Sequence, residues 1–150
     1  MSREVANLPA LLIFTASPSN RGDKAFCRLQ ALPLLVAREI AAALGTAVME
    51  LNLLIDSDGI RHTLAQHGVA KAKAEMARGQ IPIIEADLLD LAEWLHRPTA
   101  VRAGQAKPGK QPRVEMQWET PAGTTVAIME WRPGRQQLAL VTMYKKKPAA

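Results

Sequence analysis

Two of the chain's three histidines stand five residues apart, in Ile60-Arg61-His62-Thr63-Leu64-Ala65-Gln66-His67-Gly68. Imidazole is the side chain best suited to take or give a proton near neutral pH. A zinc pair on a helix needs a spacing of three or four residues. Five residues turn the second ring about 140° from the first, at ~100° per residue. The single cysteine, Cys27, leaves no intramolecular disulfide and no Cys-rich zinc site. Acid–base work is therefore the better chemistry for this pair. His67 precedes the helix-ending Gly68, where the carbonyl end of a helix favours an imidazolium. A capping His67 beside an incidental surface His62 would use the same residues. His96, before Arg97-Pro98, is another helix-end histidine and receives no role.

The second informative stretch is the last strand. Alternation puts Leu138, Leu140, Thr142 and Tyr144 on one face, and Ala139, Val141 and Met143 on the other. Burying the second set leaves Thr142 and Tyr144 projecting from the open face beside Lys145. Two hydroxyls next to a cation can hold a phosphate and stabilise charge developing on it. Glu130 and Arg132 share a face of the preceding strand, so Arg132 either meets the same anion or pairs with Glu130. Arg102, Lys107, Lys110, Arg113 and Arg135 fall on loops and strand ends, where a surface that tracks a phosphate backbone would place them. Trp118 and Trp131 fit the core better than a base-stacking platform.

These residues need a scaffold. Pro9, Pro18 and the polar stretch Ser17 to Asp23 make residues 1–28 read as an irregular arm with one short apolar element, Leu11 to Phe14. From Leu29 the residues Leu32, Leu35, Val36, Ile40 and Leu44 form a helical stripe that Gly45 stops. Val48, Leu51, Leu53 and Ile55 alternate weakly, as in a strand. Asp56-Ser57-Asp58 offers N-cap oxygens to a helix ending at His67. Further helices are predicted over 69–78 and 85–96. The pattern changes after residue 98. Segments 114–119, 124–131 and 138–144 read as strands joined by the turns Pro121-Ala122-Gly123 and Pro133-Gly134, and Thr99 to Arg102 adds a fourth. Helices first and strands after give an α+β class, with N-terminal helices on a C-terminal four-stranded antiparallel sheet. The expected organisation is an arm and helix over 1–45, a functional domain over 46–147 and a tail over 148–150.

The chain has 150 residues and a net charge of +5. Residues 1–97 hold 10 basic and 11 acidic side chains, whereas residues 98–150 hold 9 and 3. The whole excess lies in the last third, which points to a polyanion such as a phosphate backbone, or to a solubilising tail around Lys145 to Lys147. No apolar run approaches a membrane span. The short run Ala10 to Phe14, with Glu4 in the preceding segment, makes a poor signal peptide. The sequence shows no phosphate-binding Gly-rich loop, no Ser-His-Asp order and no dense acidic metal site, against nucleotide hydrolases and magnesium-dependent nucleases.

The run Ile60-Arg61-His62-x-Leu64-x-x-His67-Gly68, then Ala77-Arg78-Gly79-Gln80-Ile81-Pro82, then Asp87 to Leu95, resembles the phage- and toxin-associated nucleases of the barnase–EndoU–colicin–RelE class. The ending Glu130-x-Arg132 … Leu138-x-Leu140-Val141-Thr142-Met143-Tyr144-Lys145 is similar to their closing strand. The likeness covers about residues 46–147. It implies a metal-independent, cofactor-free ribonuclease on a four-stranded antiparallel sheet. It also implies a toxin domain at the end of a larger delivery protein, acting in the target-cell cytoplasm and neutralised by an immunity protein; several relatives cleave tRNA. By this likeness His62, His67, Thr142 and Tyr144 are the catalytic candidates, with Arg102, Arg132 and Lys145 on the substrate. One histidine would take a proton from a ribose 2′-OH, and the other histidine or Tyr144 would protonate the leaving 5′ oxygen. Two rivals are a non-catalytic nucleic-acid-binding module and an ADP-ribosyltransferase-like toxin built on Glu130 and Arg102.

Overall fold

The computed structural model describes residues 2–46, 51–105 and 108–148. Val48, Lys107 and residues 149–150 of the expected tail lie outside the described residues. The elements follow as β1 (Arg3–Glu4), α1 (Leu8–Ala16), β2 (Ala25–Arg28), α2 (Leu34–Leu44), β3 (Asn52–Asp56), α3 (Ser57–His67), α4 (Ala72–Ala77), β4 (Gln80–Ile81), α5 (Glu85–Trp94), β5 (Ala100–Ala103), β6 (Arg113–Thr120), β7 (Gly123–Arg132) and β8 (Gln137–Lys146).

The expected antiparallel meander is present as β5-β6-β7-β8, but the sheet does not stop there. Its order is β1-β2-β3-β8-β7-β6-β5, with β4 also paired to β8. The described sheet therefore has eight strands rather than four. It is mixed, because β3 runs parallel to β8 and β1 parallel to β2. The extra strands are two to five residues long, too short for a period-2 pattern to show.

Residues 1–28 are also more regular than an irregular arm. Pro9 sits in the first turn of α1, where its missing N–H costs nothing, and Asn7 caps the helix by accepting from the Ala10 amide at 2.9 Å. Leu8, Leu11 and Leu12 join one core with Val36 and Ile40 of α2, Leu88 and Leu91 of α5, and Met116, Met129 and Leu138 of the sheet. The helix predicted from Leu29 begins only at Leu34, because Pro33 holds its own φ and disfavours helix before it. Val36 and Ile40 of the expected stripe are buried, with Ala37 and Ala41 beside them, whereas Leu35 is 71% exposed. Trp118 and Trp131 are buried, and the Trp118 indole N–H donates to the Trp94 carbonyl.

Helix α3 follows β3 directly in the chain and packs against β8. Asp56 ends the strand and accepts the Gly59 amide at 2.7 Å. Gly59 then rests against the Leu140 carbonyl, where a Cβ would collide with that oxygen. This close approach fixes the far end of α3, and so His67, beside the second half of β8.

Candidate active site

The open face of the sheet is reset by a bulge. Ile128 pairs with Thr142 but Met129 pairs with Leu140, so Val141 is an extra residue in β8. Before the bulge Leu138 and Leu140 face the helices; after it Met143 does, and all three are buried. Strict alternation would have exposed Leu138 and Leu140 together with Thr142 and Tyr144. The bulge lets the leucines pack and still turns both hydroxyls to the open face. Lys145, two residues past Met143, lies on the helical face by ordinary alternation, and its ammonium donates to Asp87 Oδ1 at 2.9 Å. The cation that shares a face with Tyr144 is Lys146, its Nζ 5.8 Å from the ring centroid.

His67 comes to the same place from the end of α3. Its carbonyl accepts the Ile83 amide at 2.7 Å, and the Lys147 amide donates to the Gly79 carbonyl at 2.9 Å, so the α4–β4 segment is stitched to both α3 and β8. That segment brings Glu75 beneath the imidazole. His67 Nδ1 lies 3.1 Å from Glu75 Oε1, and the Glu75 side chain is wholly buried. A buried carboxylate is tolerated only when its charge is matched and its lone pairs are used. Here the Arg78 guanidinium pairs with it, and the Gln80 amide nitrogen, in the orientation that satisfies both ends of that side chain, donates at 2.7 Å. With Nδ1–H donating to Glu75, the imidazole presents Nε2 as its free lone pair.

The rings of His67 and Tyr144 are 5.5 Å apart between centroids and tilted by 38°. Burial first, and the Glu115 carboxylate second, push the Tyr144 phenol above its ordinary value. The phenol therefore stays protonated at neutral pH and is a proton donor rather than a base. Thr142 precedes it on the same face by two residues, about 7 Å along the strand. The Thr142 Oγ1 is buried with no hydrogen-bond partner among the described residues. Cys27 offers no nucleophile to this or any other site: it is fully buried, and burial pushes its thiol up to about 11.

The remaining candidates lie elsewhere. His62 is exposed on α3 and turned about 140° from His67. Arg102 shares a rung of the open face with Thr142, through Ile128 and Glu115. It stands at the edge strand, exposed and 3.4 Å from Gln117 Oε1. Arg132 starts six residues along β7 from Val126, the partner of Tyr144, which is about 20 Å. Its guanidinium is held by Glu130 at 3.1 Å and by Asp56 at 3.3 Å. The structure thus gathers His67, Thr142 and Tyr144, and leaves His62, Arg132 and Lys145 outside.

Glu75, Arg78, Gln80, Glu115 and Lys146 belong to this corner and were not among the sequence candidates, although Arg78 and Gln80 stand in the run that carries the family resemblance. Lys146 was within reach, because Thr142, Tyr144 and Lys146 follow the two-residue rule that Lys145 breaks. Glu75 carried no signal, standing in an Ala- and Lys-rich helix that reads as solvated.

The corner has the means for proton transfer at a phosphodiester: an oriented imidazole, a protonated phenol and cations beside them. A scan against family models independently matches residues 35–150 to "phage-Barnase-EndoU-ColicinE5/D-RelE like nuclease3". Searches of the curated proteins and of the solved structures find no significant match. The family match spans more than two thirds of the chain and includes every residue of the corner. The chain belongs to the phage-Barnase-EndoU-ColicinE5/D-RelE like nuclease3 family.

Proposed function

We propose that this nuclease domain is a metal-independent endoribonuclease, a toxin that cuts tRNA and leaves a 2′,3′-cyclic phosphate. The observation that carries the reading is His67, clamped by buried Glu75 and set against a phenol that keeps its proton. His67 Nε2 takes the proton of a ribose 2′-OH. The freed oxygen attacks the adjacent phosphorus, and the bond from phosphorus to the 5′ oxygen breaks. Tyr144 gives its proton to that leaving oxygen. The proton held on His67 then returns to Tyr144, restoring both groups. The nucleophile belongs to the substrate and is already beside the phosphorus, so neither a metal-activated water nor a protein nucleophile is required. Lys146, the cation beside the Tyr144 ring, meets the charge that gathers on the non-bridging oxygens in this scheme.

The choice of tRNA, a neutralising immunity protein and delivery into a target-cell cytoplasm as part of a larger protein rests on the likeness to toxin nucleases. The basic C-terminal third supports a polyanionic substrate. The test is cleavage of tRNA in excess EDTA, with the new ends identified. Discrete fragments carrying cyclic phosphate are expected, and a 2′-deoxy nucleotide at the cut site abolishes that cut. Loss of cleavage on chelation, or cutting of the deoxy substrate, overturns the scheme.

A further inference from the structure

At the opposite end of the open face, Ser2, Phe26, Leu54, Asp56, Arg132 and Arg135, with Gln137, line a cavity of about 90 Å³. Strand pairing puts Phe26 level with Asp56, and Leu54 level with Ala139, so these residues share the face that carries Thr142 and Tyr144. The floor is apolar, from Phe26 and Leu54. The walls offer a carboxylate, an amide and guanidinium groups. Arg28 lies over the Phe26 ring, 6.0 Å from its centroid, and steadies it. Arg132 is locked between Glu130 and Asp56 and cannot swing away to serve the His67 corner. Arg135, by contrast, is exposed at the rim and forms no ion pair among the described residues.

Aromatic and guanidinium planes over an apolar floor, with hydrogen-bonding groups at the edges and a free cation at the mouth, are what an unstacked nucleobase and its phosphate require. We infer that this cavity is a base-binding subsite for single-stranded RNA, several nucleotides from the scissile phosphate, with Phe26 as the stacking platform and Arg135 as the phosphate contact. The inference rests on the ribonuclease reading and extends it to the substrate: the enzyme grips an unpaired stretch laid along β8, rather than a single phosphodiester. Phe26 and Ser2 come from the segment before residue 35, ahead of the family match. The subsite therefore joins this chain's N-terminal residues to the sheet of the matched nuclease segment, and is suited to selecting its substrate.

The test compares kcat/KM for a mixture of the sixteen RNA dinucleotides with that for a single-stranded 12-mer of random sequence. The wild-type protein is expected to prefer the longer substrate. Phe26→Leu keeps the apolar volume but removes the aromatic face, and should lose about tenfold on the 12-mer through KM; Arg135→Ala should lose in the same direction. Phe26→Trp should restore the preference. If the dinucleotides are cleaved and both Phe26→Leu and Arg135→Ala keep the full length preference, the subsite is wrong while the nuclease reading stands. If the wild-type protein cuts tRNA but neither of these substrates, the subsite for an unpaired stretch is wrong while the nuclease reading stands; if it cuts none of the three, the nuclease reading fails and the subsite falls with it.

Discussion

Two corners of the molecule pair arginine with carboxylate and use the pairing differently. Around Tyr144, a carboxylate, an arginine and a histidine converge, and the carboxylate is the buried member. Glu75 spends its charge on orienting an imidazole that still has a free nitrogen. Around Arg132 the arginine is the member in the middle, spent on two carboxylates, one of which also caps α3. The first corner keeps a lone pair and a transferable proton; the second keeps neither. Charge alone therefore does not mark the reactive end of the face. What marks it is which group remains unsatisfied once the network is complete.

The largest effect that sharpens this contrast is His67→Ala. It should lower kcat by about 10²–10⁴ with far-UV circular dichroism close to wild type, and lower Tm modestly because buried Glu75 loses one of its partners. Tyr144→Phe should cost about 10² and change the pH profile. The phenol titrates above its ordinary value, so the wild-type rate holds until the pH exceeds about 10, then falls as the donor is lost. The Phe variant should show no such alkaline limb. Glu75→Gln keeps the shape but weakens the hold on Nδ1, and about 10- to 100-fold is expected, the usual cost of losing an orienting partner. Arg132→Ala should act on stability instead, by about 1 kcal/mol, read as a lower denaturation midpoint. A larger loss of kcat from Arg132→Ala than from Glu75→Gln would erase the distinction between the corners.

Much of this was legible in the sequence because it rests on local rules. A cap within Asp56-Ser57-Asp58, the end of α3 at His67 with its stop at Gly68, and the four-strand meander follow from side-chain chemistry at fixed offsets. Thr142 and Tyr144 do face the open side together, yet through a bulge at Val141 that plain alternation does not contain. Lys145 went astray for a simpler reason: it is adjacent to Tyr144, and alternation alone puts it on the opposite face with Met143. The N-terminal strands were hidden because two- and four-residue strands have no period, and α1 because Pro9 reads as a breaker unless its place in the first turn is known. Glu75 reaches His67 across eight residues and a change of direction, a contact set by tertiary packing alone. Among the described residues no helix is long and apolar enough to cross a membrane, as the short apolar runs suggested.

The most direct measurement is the single-turnover rate of tRNA cleavage in EDTA by His67→Ala and His62→Ala, side by side. The expected result is near-complete loss for His67→Ala and a rate close to wild type for the exposed His62→Ala, with stability moved by no more than about 0.5 kcal/mol in the latter. Loss of cleavage on replacing His62, with His67→Ala still active, would place the chemistry on the other face of α3 and contradict the mechanism.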